Sequence, residues 1–220
     1  LGREHGALVL VDGAHGPGSL PLDLEALGPD AYVGNLHKWM CCPRGSAFLW
    51  VRHPWQERLR PLVISHGANA PLQAGGTRFH LEHDWIGTAD PTPWLALPEA
   101  LRLLGPDLTP LMQRHHRLVQ QGQALLLEAL NTDRLAPACM QACMASIPLP
   151  PVGQLDGQAL YRALRQRGFQ LPVIPLMPHC AGVPQFLRFS CFAYNTLDDL
   201  QNLAAVLPAV LAEVEATQAA

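Results

Sequence analysis

The chain has 220 residues, 49% of them hydrophobic and only 15% charged, with a net charge of −3. That balance excludes an intrinsically disordered chain, and its slight acidity argues against a basic nucleic-acid face or a polybasic membrane stretch. So few charges on a chain long enough for one large domain or two smaller ones also suggest that a partner or further chain covers much of the surface.

The sequence opens at Leu1 without an initiator Met and runs almost directly into an apolar segment, as if entered partway through a domain. Ala7 to Val11 is a continuous apolar run ended by Asp12-Gly13, the pattern of a strand buried on both faces of a parallel sheet. Leu22 to Leu27 reads as a short helical turn broken by Gly28-Pro29. Asp30 to Gly34 is the next strand, and it delivers Asn35-Leu36-His37-Lys38 at its carboxyl end. Ser46 to Val51 is a third strand, reached by a connection too short for a helical crossover and therefore antiparallel.

From Pro61 to Asp90 the sequence is rich in Gly, His and polar residues without periodicity, which predicts a long ordered loop serving a site or an interface. Helical spacing returns over Pro93 to Leu104 and again over Leu111 to Leu130, the second long enough to connect two domains. Beyond it come a strand near Met144 to Leu149, a helix from Asp156 to Arg167, and strands near Phe169 to Pro175 and Phe186 to Cys191. A last helix is opened by a capping box at Thr196 to Asp199, and the Ala-rich tail after Glu213 reads as frayed helix. The expected fold is α/β, with a mostly parallel sheet in residues 1–110 and a small α+β domain, including the connecting helix, in 111–220.

No apolar run has the length of a membrane span. The six cysteines form no CxxC pair and read as reduced thiols of a cytoplasmic protein. Ten histidines, including His80-x-x-His83 and His115-His116, raise the idea of zinc, but no second ligand pair stands at a structural spacing, so no metal is expected.

Asp12 and Lys38 each close a predicted parallel strand, and in open α/β sheets ligands bind outside those ends. One planar cofactor can touch both: pyridoxal phosphate (PLP) needs a lysine amine to hold its aldehyde and a carboxylate to keep its ring nitrogen protonated. Taken alone, Asp12 also reads as a turn residue and Lys38 as a solvated surface lysine.

The surrounding motifs sharpen this. Asp12-Gly13-Ala14-His15, Asp30-x-Tyr32-Val33-Gly34-Asn35-Leu36-His37-Lys38-Trp39, Gly45, Trp85-Ile86-Gly87-Thr88-x-Asp90, Leu187-Arg188-Phe189-Ser190 and Tyr194-Asn195-Thr196 occur in this order. Together they closely resemble class V aminotransferases of PLP-dependent fold type I, nearest to the isopenicillin N epimerase-like branch. The chain resembles the C-terminal portion of such proteins and lacks the N-terminal part, which would leave its first strands with unpaired edges and exposed apolar faces.

The resemblance implies Lys38 as the Schiff-base lysine and Asp12 as the carboxylate on the pyridinium. It implies His15 near the cofactor's phenolic oxygen, His37 on the phosphate side, and Thr88, with Gly87, reaching the phosphate of a neighbouring subunit's cofactor. A homodimer with shared active sites would follow. Arg188 takes the place of the arginine that pairs with the substrate carboxylate. The implied activity is chemistry at Cα of an amino acid through an external aldimine and a carbanion, epimerase-like or aminotransferase-like. Alternatives are a C–S lyase or cysteine desulfurase, where Cys180 would matter, and a truncated, inactive dimerisation partner. Thr88 has a second reading as the cap of a helix near Pro91, and Arg188 as an outward-facing strand residue between Leu187 and Phe189.

Overall fold

The computed structural model describes residues 1–72, 75–150, 155–175 and 185–219. The chain divides into two compact units, Leu1–Leu108 and Thr109–Ala220.

The first unit is built on a three-stranded sheet of β1 (Leu10–Asp12), β2 (Ala31–Asn35) and β3 (Ala47–Val51), in that order. β1 runs parallel to β2, with Asp12 opposite Val33, and β2 runs antiparallel to β3. The reversed third strand is thus where the short connection predicted it. Between β1 and β2 lies α1 (Leu24–Leu27), whose N-terminus is capped by Asp23 accepting from Ala26 N at 2.9 Å. A left-handed Gly28 ends it at φ 63°.

One expectation fails at β1. Leu8 and Leu10 are 53% and 59% exposed, so the strand is not buried on both faces. The reason is its place: β1 is an edge strand of this sheet, and the described residues of the unit leave Leu8 and Leu10 largely uncovered. The strand is instead fastened by polar groups. Asp30 accepts from Val9 N at 2.8 Å and from Trp55 Nε1 at 3.0 Å, and Arg52 Nε donates to Pro29 O at 3.1 Å.

The long segment after β3 is more regular than the sequence suggests. It holds α2 (His53–Gln56) and α3 (Arg78–His83), the latter capped by Thr77. Phe79 and Glu82 form the buried side of α3, and Glu82 is flanked by Arg60 and Arg78. Arg78 Nη1 also donates to the carbonyls of Gly67, Ala68 and Ala70, so a guanidinium gathers the preceding loop. Helix follows as two pieces, α4 (Thr92–Leu95) and α5 (Leu97–Leu104), where one was expected. Pro98, in the first turn of α5, has no N–H to continue the earlier ladder.

The second unit pairs an antiparallel sheet with long helices. α6 (Thr109–Leu130) packs on β4 (Met144–Pro148) and on α8 (Leu197–Ala219), while α7 (Gly157–Gln166) packs on α8 and on β5 (Val173–Pro175). The sheet order is β4, then β6 (Gln185–Ser190), then β5. Gly122 lets α6 and α8 approach so closely that a Cβ there would collide with the Leu200 side chain. Asp156 caps α7 through Gln158 N at 2.8 Å.

The capping box at α8 is reciprocal: Thr196 N donates to Asp199 Oδ2 at 2.8 Å and Asp199 N to Thr196 Oγ1 at 3.3 Å. The tail expected to fray is helical to Ala219. Glu213 pairs with Arg167, and Gln218 Oε1 accepts from Asp156 N, which ties the last turns to α7. The apolar core of this unit is continuous, with Leu126, Ile147, Leu160, Leu187 and Leu207 fully buried.

Candidate active site

The candidate site lies at the carboxyl end of the first sheet. Because β1 and β2 are parallel, the segment after Asp12 and the segment after Asn35 leave the sheet at the same end, on strands about 4.8 Å apart. The first segment turns at once: Gly13 N donates to Val33 O at 2.9 Å, Ala14 N to Asp12 Oδ1 at 3.1 Å and Gly16 N to Gly13 O at 2.7 Å. Asp12 therefore fulfils its turn reading as well, with one carboxylate oxygen holding the turn and the side chain still exposed.

Tyr32, only 2% exposed, lies beneath this turn and donates from its hydroxyl to Gly13 O at 3.2 Å. A Cβ on Gly13 or Gly16 would overlap its ring, so the two glycines form a seat for the phenol. Burial, and then the charge of Asp12, raise the Tyr32 phenol above its ordinary range, which keeps it a neutral donor. Sequence reasoning quoted Tyr32 only as part of a motif. The paired glycines three positions apart were the available signal for its place.

The second segment turns back on itself. Leu36 N donates to Ser46 O at 3.0 Å, Cys42 N to Leu36 O at 3.1 Å and Cys41 N to Lys38 O at 3.2 Å. His37 Nδ1 lies 2.8 Å from Ser46 O, so this nitrogen carries a proton toward the carbonyl. Lys38 is half-buried, and among the described residues its amine has no hydrogen bond or ion pair. Trp39 and Met40 are buried and pack against Gly18 of the first segment.

A side-chain hydrogen bond joins the two segments. Trp39 Nε1 donates to His15 Nδ1 at 3.3 Å. On the other side of His15, the buried Ser19 hydroxyl donates to its carbonyl and lies 3.3 Å from Gly16 O. The fold thus gathers Asp12, His15, His37 and Lys38, four of the predicted site residues, on two adjoining turns.

Thr88 and Arg188 belong to other segments of the chain. Thr88 is exposed, in the irregular segment between α3 and α4. The carboxylate capping the start of α4 is that of Asp90, which accepts from Thr92 N at 2.9 Å and Thr92 Oγ1 at 2.6 Å, so capping does not explain Thr88. Arg188 belongs to the second unit. It is half-buried between Leu187 and Phe189 on β6 and lines a cleft of about 510 Å³ with Gln170, Ser190, Tyr194 and Asn195. Among the described residues its guanidinium forms no ion pair, so it faces a cleft rather than open solvent alone. Cys180 lies outside the described residues.

No group of three His, Cys, Asp or Glu residues that could hold a metal ion occurs among the described residues. His83 instead donates from Nδ1 to Phe79 O at 2.8 Å and packs on the Phe79 ring. No helix among the described residues is long and apolar enough to cross a membrane.

The fold is the α/β fold of PLP-dependent enzymes of fold type I. It matches the apo structure of a cysteine desulfurase from Thermococcus onnurineus NA1 with a TM-score of 0.74 at 20% identity, covering 96% of this chain and 54% of that one. It also matches the cystine C–S lyase C-DES, solved with its product cysteine persulfide, with a TM-score of 0.68 at 25% identity, covering 91% and 52%. The chain belongs to the aminotransferase class-V family, whose model matches residues 1–203.

Among characterised relatives, the isopenicillin N epimerase of Streptomyces clavuligerus is 31% identical, covering 96% of this chain and 54% of that protein. A putative L-cysteine desulfhydrase of Oryza sativa subsp. japonica is 28% identical over 91% of this chain and 45% of that protein. The chain spans about half the length of the curated relatives it matches.

Proposed function

We propose that this chain carries the cofactor-anchoring part of a PLP-dependent enzyme acting at Cα of an amino acid. The observation that supports this most is the parallel pairing of β1 and β2, which brings Asp12 and the Lys38 turn to one end of the sheet. The donor set fits the cofactor. There is an amine without a competing partner among the described residues, a carboxylate one turn away in the fold, and two imidazoles on the same turns.

Bound there, PLP would supply an electron sink for a negative charge developing at the substrate's Cα. Lys38 would be the residue to bind its aldehyde covalently and to take the proton from Cα. Asp12 keeps a proton on the ring nitrogen. His15 would donate toward the phenolic oxygen, His37 would face the phosphate, and Thr88 would reach a second subunit's phosphate in a homodimer. Arg188 holds the substrate carboxylate through two parallel N–H bonds, which its planar fork suits. A cytoplasmic location accords with six cysteines that form no CxxC pair.

The fate of the Cα proton would decide the product: return to the other face of Cα would give epimerisation, delivery away from Cα transamination, and loss of a β-substituent elimination. A second reading as a C–S lyase is favoured by the relatives named L-cysteine desulfhydrase, one of them 34% identical over 67% of this chain.

The test uses the whole protein with PLP. A visible absorbance band that borohydride abolishes, and that Lys38→Ala never forms, supports the reading; its absence from the wild type overturns it. Amino acids and cysteine derivatives are then screened for deuterium at Cα and for sulfide. Deuterium without sulfide supports the epimerase-like activity, and sulfide supports the lyase.

A further inference from the structure

His15 is fixed from two sides. Its carbonyl accepts from the Ser19 hydroxyl within a tight turn, where Gly16 N bonds Gly13 O at 2.7 Å and Ser19 N bonds Gly16 O at 3.0 Å. Its ring is engaged by Trp39 Nε1 at 3.3 Å from Nδ1. The indole is itself immobile: Trp39 is 7% exposed, and a Cβ on Gly18, at φ +77°, would come within 3.0 Å of the Trp39 carbonyl carbon and Cβ.

The chemistry of this bond is restrictive. An indole N–H is a donor only, whereas a neutral imidazole has one donor nitrogen and one acceptor nitrogen. Nδ1 must therefore present its lone pair to Trp39, and the ring proton sits on Nε2. A half-turn of the ring would replace Nδ1 by Cδ2 and lose the bond. A doubly protonated ring would set two N–H groups against each other.

We propose that Trp39 is a positioning residue that holds His15 in one ring orientation and in the Nε2–H tautomer, making it a neutral hydrogen-bond donor. This rests on the reading of His15 as a donor to the phenolic oxygen of PLP, and it adds which nitrogen donates and what sets it. His15 then stabilises negative charge on that oxygen without acting as an acid or a base. Trp39 acts only through His15, and no contact with the cofactor is required of it.

The test begins with the whole protein free of PLP and labelled with ¹⁵N-histidine. Correlation spectra report the tautomer of each ring, and His15→Gln identifies the His15 signal by its loss. The wild type should show His15 as the Nε2–H form alone; an Nδ1–H form or a mixture overturns the proposal, and this reading needs no Trp39 variant. In Trp39→Phe, which keeps an aromatic ring and removes the donor, His15 should become a mixture of tautomers, and an unchanged tautomer overturns the proposal.

With PLP, Trp39→Phe should retain the borohydride-sensitive band while kcat falls roughly two- to tenfold at nearly constant KM, the range expected for one neutral hydrogen bond. A rise in KM with unchanged kcat contradicts the positioning role. If the wild type shows the Nε2–H tautomer but forms no adduct at Lys38, the functional reading fails and the tautomer assignment stands. If the adduct forms and the tautomer is wrong, only the role of Trp39 fails.

Discussion

The Thr109–Ala220 unit folds around one continuous apolar core to which α6, α7, α8 and all three strands of its sheet contribute. The Leu1–Leu108 unit gathers a much smaller cluster around Leu36, Met40, Cys42 and Ala100, and leaves Leu8, Leu10 and Leu49 exposed. Its order comes instead from polar tethers: Asp30 to Val9 and Trp55, Arg52 to Pro29, Trp94 Nε1 to Ala47 O at 2.9 Å, and Trp39 to His15. The chemistry-bearing turns sit on the unit with the thinner core. Directional bonds place a side chain more sharply than non-directional burial does, and a site needs placement.

Substitutions should separate the two modes. The largest stability effect is expected in the second unit, where Leu187→Ala removes a fully buried side chain and should cost about 2–5 kcal/mol in denaturant unfolding. A smaller loss would mean that its core relaxes around the gap. In the first unit, Asp12→Asn should leave unfolding nearly unchanged yet reduce turnover about ten- to a hundredfold, as for loss of a hydrogen bond to a charged group at ~1.5–3 kcal/mol. A large stability loss with intact turnover would make Asp12 a turn residue only.

The core of the second unit also buries polar side chains on α6, His115 and Gln123. His115 is fully buried on α6, neither ring nitrogen has a hydrogen-bond partner among the described residues, and its ring packs on Phe192 with centroids 4.9 Å apart. Burial, and then the nearby Arg114 charge, hold its folded-state value below that of a free histidine. Below the ordinary value of ~6.5 the unfolded chain binds this proton more readily, so stability is full above that pH and falls as pH drops through it. His115→Leu should flatten the decline in unfolding midpoints between neutral and mildly acid buffers, and an unchanged slope would assign it to other groups. The smallest effect on folding is expected at the exposed edge: Leu10→Lys should shift stability by no more than about 0.5 kcal/mol. It should also reduce self-association of the 220-residue chain in light scattering, and unchanged association would clear the β1 face of that role.

Much of this architecture was legible in the residues, for reasons that can be stated one by one. Apolar runs ending in Asp12-Gly13 and Asn35 marked two strands and the end of the sheet where their carboxyl termini meet. The short link through Gly45 fixed the reversal of β3, and the Thr196 and Asp199 pair announced the start of α8. Pro98 was visible but was read as lying within one helix, although its missing N–H divides α4 from α5.

The helix α3 was missed although Arg78 and Glu82 stand four residues apart, because the second partner of the buried Glu82 is the distant Arg60. No periodicity reveals such a convergence. The bond between Trp39 and His15 was equally invisible, since it depends on how two turns on neighbouring strands fold toward each other. The roles assigned to Asp12, His15, His37, Lys38, Thr88 and Arg188 came from motif resemblance; geometry adds the company each residue keeps.

The central claim is that Lys38 anchors PLP. The direct measurement is to reduce the PLP-loaded whole protein with borohydride, digest it and read the peptides by mass spectrometry. A phosphopyridoxyl group on Lys38, absent when Lys38→Ala is treated in the same way, is the predicted result. The same group on another lysine, or on none, would contradict it.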